Sequence, residues 1–312
     1  LQTLGRAGLP IFALAGATIV ALSVVAVRLV APAAAGSGIP NLKAVLHRSR
    51  AMGGARLIAV KFFGGFAAIT AGLALGREGP TIQMGGALGG LLSRRLRSTA
   101  HERQVMIAAG AGAGLAAAFN APLAGLIFVL EEVQKNFAPG IFTATFIASV
   151  TADSVSRVLF GQRAIFPTLA IAVPPLAAIP FFALLGVAAG CLAVAFNRGL
   201  LATVRALDRF GSSARIGFAA LAGGTVAALA WFQPVLVGGG GRLVEQAIAG
   251  QDVVHLLLGT MLLRFVLTLA SYGTGAPGGI FAPLLVLGSQ TGLALGLVAA
   301  AMLPGLHVAP AA

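Results

Sequence analysis

Charged side chains are scarce in this sequence of 312 residues. They make up 9% of the chain, whereas a soluble globular domain carries about 25%. Hydrophobic residues make up 58% and recur in long runs, several of them near the ~20 residues that cross a bilayer as a helix. The composition therefore excludes an ordinary soluble domain and predicts a polytopic helical membrane protein.

Cysteine and acidic residues are scarce as well. The single cysteine, Cys191, lies inside an apolar run, so an intrachain disulfide is excluded and a packing role is expected. With 21 basic and 8 acidic residues the formal net charge is +13, a balance that could suit nucleic acid. The basic residues, however, lie in short loops between apolar segments, as the positive-inside rule predicts for cytoplasmic loops. We therefore expect a lipid bilayer and no nucleic acid as partner.

Sequence motifs of enzymes are missing too. The glycines of 110–114 do not match a dinucleotide fingerprint, because Leu115 occupies the third glycine position and no strand precedes the run. No phosphate-binding loop, zinc-protease motif or nucleophile elbow is present. An intramembrane hydrolase would need a Ser or Cys nucleophile paired with a His at membrane depth, and no such pair is visible. We expect no enzyme, no metal site and no cofactor.

What the sequence does contain is a charged break between two apolar runs, Gly76-Arg77-Glu78-Gly79-Pro80. The run Leu57 to Leu75 precedes it and Thr81 to Leu92 follows. Proline is tolerated in the first turn of a helix, so Pro80 predicts a helix start whose free N–H groups point back toward Glu78. An ion pair of Glu78 with Arg77 is the alternative, although adjacent residues do not face each other on a helix. A carboxylate at membrane depth is by default a candidate functional group.

Three similar breaks occur elsewhere. They are Gly36 to Pro40 before a short helix Asn41 to His47, Phe119 to Pro122 before Leu123 to Val133, and Gly278 to Pro283 before Leu284 to Met302. Ser37 could donate to an anion or act as an ordinary helix N-cap, and the amides of Ile280 and Phe281 could bind an anion or simply open a proline-initiated helix. We expect the breaks at Ser37, Glu78 and Phe281 to converge, because half-helix N-termini meeting at membrane depth hold anions in transporters.

A second pair of carboxylates, Glu131 and Glu132, closes the apolar run Leu123 to Leu130. One interpretation is a solvated helix end beside Lys135; the other is a proton acceptor at the cytoplasmic mouth, a role that carboxylates often have in transporters. Two stripes of small residues predict helix-packing faces; they are Gly85, Gly86, Gly89 and Gly90, and Gly288, Gly292 and Gly296.

The chain also carries a weak internal repeat. Gly76 to Pro80 and Gly279 to Pro283 share a G-x-x-x-P frame, as expected for an inverted-repeat transporter. The Phe119 to Pro122 break follows the first frame after roughly 40 residues, and the same spacing from the second frame falls beyond Ala312. We therefore expect one transmembrane domain over residues 1–312 with an incomplete second repeat, shortened at the C-terminus and also at the N-terminus.

Taken in order, these motifs resemble the CLC family of chloride channels and proton-coupled chloride transporters. Its signatures G-S-G-I-P, G-[KR]-E-G-P and G-x-F-x-P match residues 36–40, 76–80 and 279–283, and residues 117–125 match as well. The resemblance implies that Glu78 is the external gating glutamate and Glu132 the internal proton glutamate. It implies an anion site formed by Ser37, Gly38, Gly79, Ile280, Phe281 and Ala282.

The function that this resemblance implies is secondary active exchange of chloride for protons by a homodimer, with chloride as substrate. The alternative is a passive voltage-gated chloride channel of the same fold, and Glu132 favours exchange. A structural or regulatory membrane fragment stays open. The family also completes its anion site with a tyrosine near its C-terminus; Tyr272, the single tyrosine here, precedes the third motif and is not that residue. We expect an all-α, CLC-type inverted-repeat bundle with broken half-helices, multi-pass in the plasma or inner membrane.

Overall fold

The helices follow the apolar runs closely. The structure, a computed structural model, describes residues 5–162, 176–250 and 254–302. The regular secondary structure of these residues is helical, apart from two isolated bridge pairs, which confirms the predicted all-α class. The helices of the first half are α1 (Gly5–Val30), α2 (Ile39–Leu46), α3 (Ala55–Thr70), α4 (Glu78–Arg95), α5 (Ala100–Phe119) and α6 (Pro122–Phe128).

The second half continues with longer helices. Of the described helices, four are long and apolar enough to cross a membrane: Gly8–Val30, Leu176–Arg209, Ser212–Phe232 and Phe281–Met302. The remaining helices are α7 (Pro139–Phe160), α8 (Ile179–Arg209), α9 (Ser212–Phe232), α10 (Gly241–Ile248), α11 (Val254–Gly273) and α12 (Phe281–Met302).

Two apolar runs leave the α-helix earlier than the sequence predicted. The run expected as one helix from Leu57 to Leu75 leaves the helix after Thr70, because Gly72 takes a left-handed φ of 100°. The Gly72 carbonyl then accepts a hydrogen bond of 2.9 Å from the Gly238 N–H. The run expected as a helix from Leu123 to Val133 is α-helical only to Phe128 and continues as a π-helical turn, Val129–Gln134. Such turns are rare and occur often at functional sites.

Glycines set how closely the central helices approach. A Cβ on Gly85 of α4 would lie 2.1 Å from the Gly110 carbonyl oxygen of α5, and one on Gly114 would lie 2.3 Å from the Thr81 carbonyl oxygen. Backbones meet at this distance only where side chains are absent. The predicted stripe on α4 is therefore a packing face. On α12, by contrast, a Cβ on Gly288 or Gly292 would meet no atom of the described residues within 4 Å.

Candidate functional site

The three glycine-rich breaks meet through their backbones. The Gly278 N–H donates to the Gly36 carbonyl (3.0 Å), which joins the third break to the first. Gly76 and Gly279 exchange two hydrogen bonds, of 2.8 and 2.6 Å, which join the second break to the third. The starts of α2, α4 and α12 therefore lie together, as expected from the sequence.

Ser37 and Gly79 are in direct contact at this meeting point. A Cβ on Gly79 would lie 2.6 Å from the Ser37 carbonyl oxygen and 2.8 Å from the Ser37 Cβ. The interpretation of Ser37 as an ordinary N-cap is wrong, because Gly38 is the N-cap of α2, with φ 83°, and no side chain caps that end. The buried Ser37 side chain therefore does not cap α2, and a serine hydroxyl can donate one hydrogen bond to an anion.

Glu78 folds back over the glycines of this junction. It is 5% exposed and is the first residue of α4, so the helix begins two residues earlier than the start predicted at Pro80. A Cβ on Gly76 would lie 2.0 Å from the Glu78 Oε2, and one on Gly279 would lie 2.9 Å from it. The backbone amides of Glu78 and Ala282 face the carboxylate. A negative oxygen therefore occupies a cradle of glycine backbone between the starts of α4 and α12.

The alternative ion pair of Glu78 with Arg77 is not formed. Arg77 instead donates to the Ala118 carbonyl at 3.2 Å. The ion pairs among the described residues lie elsewhere, and the Glu78 Oε2 has no hydrogen-bond partner there although it is fully enclosed. An enclosed charged oxygen without a donor is costly, so Glu78 is the kind of buried carboxylate that is by default a candidate functional group.

Ile280, Phe281 and Ala282 open α12 at the same place. Phe281 is half exposed, and its ring meets the Phe119 ring edge to face, with centroids 5.2 Å apart. Phe119 begins the fourth break, which comes between α5 and α6. All four breaks are thus linked in space, the fourth through an aromatic contact and not through backbone hydrogen bonds.

Lys61 supports the first break from behind, and its role was missed from the sequence. The side chain of this α3 residue is fully buried, and its ammonium donates to the Ala34 carbonyl (2.9 Å) and the Gly36 carbonyl (2.7 Å). No carboxylate in the described ranges pairs with it. A signal was available, since an ionisable residue inside an apolar run is a candidate functional group by default.

Gln83 was missed for a different reason. It is buried on α4, and its amide donates to the Ala33 carbonyl (2.8 Å) and to the Asn41 Oδ1 (3.1 Å), while a Cβ on Gly38 would lie 2.1 Å from its Oε1. The helix that begins at Glu78 therefore also grips both sides of the break that carries Ser37. Nothing in the local sequence indicates this contact, which depends on tertiary packing.

Glu132 lies apart from this junction. It is on the π-helical turn after α6, and its Oε1 forms an ion pair with the Lys43 Nζ of α2. The interpretation that placed Lys135 beside these carboxylates named a different lysine from the one that pairs. The structure thus brings Ser37, Gly38, Glu78, Gly79 and Ala282 together, and Glu132 is linked to them through its ion pair with Lys43 of α2.

This arrangement combines neutral donors with the enclosed carboxylate of Glu78. Helix N-termini present free N–H groups that favour anions, and Ser37 adds a hydroxyl. Donors without full charge suit a conducted anion, because binding must be weak enough to allow release.

Comparison with known proteins agrees with this geometry. The sequence profile described as Voltage gated chloride channel matches residues 19–312. The H(+)/Cl(-) exchange transporter ClcA of Vibrio cholerae is 40% identical over 286 residues, which are 90% of this chain and 61% of that protein. ClcA of Salmonella typhi is 39% identical over 289 residues. The chain thus spans about three fifths of the length of these curated relatives.

Solved structures show the same fold. A slow cyanobacterial Cl-/H+ antiporter superposes with a TM-score of 0.88 at 34% identity, covering 96% of this chain and 71% of that one. A eukaryotic CLC transporter gives a TM-score of 0.81 at 22% identity, a likeness of fold alone. Since the profile covers nearly the whole chain, the protein is an integral, multi-pass membrane protein that belongs to the voltage gated chloride channel family.

Proposed function

We propose that this protein exchanges chloride for protons across the membrane, with chloride and protons as its substrates and without a cofactor. The observation that carries the proposal is the Glu78 carboxylate in the glycine cradle formed by Gly76 and Gly279. The proposed anion site comprises Ser37, Gly38, Gly79, Ile280, Phe281 and Ala282. The names of the relatives at about 40% identity support the same transport reaction.

Glu78 is proposed to be both the gate and a proton carrier. Ionised, its carboxylate occupies the cradle where an anion would otherwise lie. Protonated, it loses its charge and its attraction to the helix starts, so the side chain leaves and chloride takes its place. Each protonation of Glu78 is then linked to one replacement of carboxylate by anion, which is the basis of coupled exchange.

Glu132 is proposed to pass protons between water and the protein interior. About half of its side chain is exposed, at 53%, so water reaches it directly, whereas Glu78 is enclosed. A passive channel of this fold would not need a second carboxylate at the opposite end of the proton path. This observation favours exchange over the channel alternative.

The decisive experiment measures chloride and proton flux together in liposomes containing the purified protein. An outward chloride gradient should drive protons uphill in the wild type. Glu78→Gln should abolish that proton movement while chloride still passes, because glutamine keeps the shape of glutamate but neither ionises nor carries a proton.

Glu131→Gln is the matched control, since Glu131 is a neighbouring carboxylate that forms no ion pair among the described residues. It should leave coupling unchanged, and Glu132→Gln should reduce it. Persistent uphill proton transport by Glu78→Gln would refute the role of Glu78. Chloride flux without any proton movement in the wild type would instead favour the channel.

The protein is also proposed to form a homodimer, as the family resemblance implies. Apolar side chains on α6 and α7 are exposed within one chain, as others are elsewhere in the described residues; they are Leu123, Ile127, Phe142, Phe146 and Ile147. A second copy or lipid acyl chains would cover them equally well in hydrophobic terms. Light scattering of the detergent-solubilised protein distinguishes the two, since only a dimer doubles the protein mass.

A further inference from the structure

The ion pair between Lys43 and Glu132 connects the two proposed sites through one short helix. Lys43 lies on α2, and α2 starts immediately after Ser37 and Gly38. Its ammonium contacts the Glu132 Oε1, and the two side chains are 31% and 53% exposed. A helix of eight residues therefore has an anion-site residue before its first turn and a partner of the proposed proton acceptor in its second.

This pairing is selective among the charges nearby. Glu131 precedes Glu132 and forms no ion pair in the described part of the chain, and Lys135, three residues after Glu132, forms none either. Glu102 is engaged elsewhere, in a capping box with Thr99. Other titratable groups on the helices packed against the π-helical turn are His47 at the end of α2, His101 and Arg103 in the first turn of α5, and Asp153 and Arg157 in the far half of α7.

We propose that Lys43 is a positioning residue for proton uptake: its ammonium holds the Glu132 carboxylate against α2, and a proton binds Glu132 only when this pair opens. The inference rests on the proposed function, in which Glu132 takes up protons. In the step itself, a proton from bulk water forms an O–H bond at the Glu132 carboxylate, which becomes neutral. Lys43 keeps its own proton and its charge, and its side chain turns to solvent.

The pair also has a consequence for the anion site. While it is closed, the second turn of α2 is fastened to the π-helical turn; when Glu132 is neutral, the charge attraction that fastens it is gone. The helix that begins at the anion site thus loses one of its attachments in the same event that loads a proton, while the contact of Gln83 with Asn41 remains. Lys43 is therefore placed to influence the timing of the two substrates and not the binding of either one.

The test compares the pH dependence of coupled proton flux for three variants. Lys43→Met removes the ammonium and keeps an unbranched side chain, so the acid limb should move to higher pH, by about two- to five-fold in proton concentration, the range expected for a partly exposed ion pair. Lys43→Arg restores a cation and should return the limb to its wild-type position. Lys135→Met removes the same charge three residues from Glu132 and should leave the profile unchanged.

A second readout does not depend on transport. A carbodiimide joins carboxylates to amines only when they touch, so it should link Lys43 to Glu132 in the wild type, detectable by peptide mass spectrometry. Wild-type coupling with an unchanged profile in Lys43→Met, or the same shift in Lys135→Met, would overturn the inference while leaving the proposed function intact. Absence of coupled flux in the wild type would overturn both.

Discussion

The two carboxylates proposed to carry protons, Glu78 and Glu132, have opposite surroundings. Glu78 is 5% exposed, lies over glycine backbone and forms no ion pair in the described part of the chain. The side chain of Glu132 is 53% exposed and is paired with Lys43. The first is held by dipoles and neutral amides, and the second by a full charge that water can reach.

This difference indicates that the Glu78 position suits an anion that must be released, whereas the Glu132 position suits a carboxylate paired with a cation. A cation beside Glu78 would bind both its carboxylate and any anion that replaces it, and would slow release of either. The glycine cradle avoids this, because N–H groups at helix starts attract an anion with partial charges only. At Glu132 no anion needs to be released, so a cation is tolerated there. The difference between the two sites can be tested at Glu78 or at Glu132 by changing the residues around the carboxylate and leaving the carboxylate itself in place.

The largest effect is expected from Gly76→Ala. The added methyl group would lie 2.0 Å from the Glu78 Oε2, and a carboxylate at the end of a flexible side chain can move away, so the fold should survive while the cradle is closed to Glu78. Coupled proton flux should fall at least about tenfold, the effect of more than ~1.4 kcal/mol on the transport step. Dual chloride and proton flux measurements check this.

Gly186→Ala is the matched control, because a Cβ on Gly186 would meet no described atom within 4 Å. It should leave coupling at the wild-type level. Wild-type coupling in Gly76→Ala would contradict the docked position of the carboxylate. Equal losses in both variants would show that the site is indifferent to the cradle.

An intermediate effect is expected from Lys61→Met, which removes the support behind the first break. Loss of the ammonium leaves the Ala34 carbonyl without this donor, whereas the Gly36 carbonyl keeps the Gly278 N–H, and a buried unsatisfied group costs about 1–3 kcal/mol. We expect a lower thermal unfolding midpoint and weaker chloride binding, measured by calorimetry on the detergent-solubilised protein. Lys135→Met serves as the control.

An unchanged unfolding midpoint in Lys61→Met would mean that water replaces the ammonium. Stability that falls while chloride affinity stays constant would show that Lys61 holds the loop without influencing the anion. Either result would show that the buried site around Glu78 does not depend on the charge of Lys61.

Much of the fold could be predicted from the sequence because the breaks contain glycine and proline, which indicate particular kinds of backbone position. Runs of apolar residues predicted most helix positions, and the glycine and proline of each break predicted the starts of α2, α4 and α12 to within three residues. The meeting of the breaks at Ser37, Glu78 and Phe281 could be predicted because helix starts without partners need a common acceptor. These parts depend on local backbone chemistry, which a single sequence records directly.

The rest depends on contacts between distant residues. Gln83 binds the break at Asn41, and Lys43 pairs with Glu132 at a separation of 89 residues. Neither pairing leaves a local pattern. The π-helical turn after Phe128 was missed for a related reason, since hydrophobic periodicity cannot distinguish one inserted residue from a continuing helix. The roles of the site residues stay predictions.

The smallest effect expected is a difference in sign between two conservative substitutions. Glu78→Gln replaces an enclosed, partly unsatisfied carboxylate by a neutral amide, which removes a desolvation cost, so the unfolding midpoint should stay constant or rise at neutral pH. Glu132→Gln removes an exposed ion pair, whose contribution is at most about 1 kcal/mol, so its midpoint should fall slightly. Fluorescence of Trp231, the single tryptophan, reports unfolding.

Raising the salt concentration should bring the unfolding midpoint of Glu132→Gln toward that of the wild type, because exposed pairs are screened, and should leave the effect of Glu78→Gln unaltered. A midpoint lowered by Glu78→Gln as much as by Glu132→Gln would mean that the cradle stabilises the carboxylate in the way Lys43 stabilises Glu132, and the contrast between the two sites would disappear.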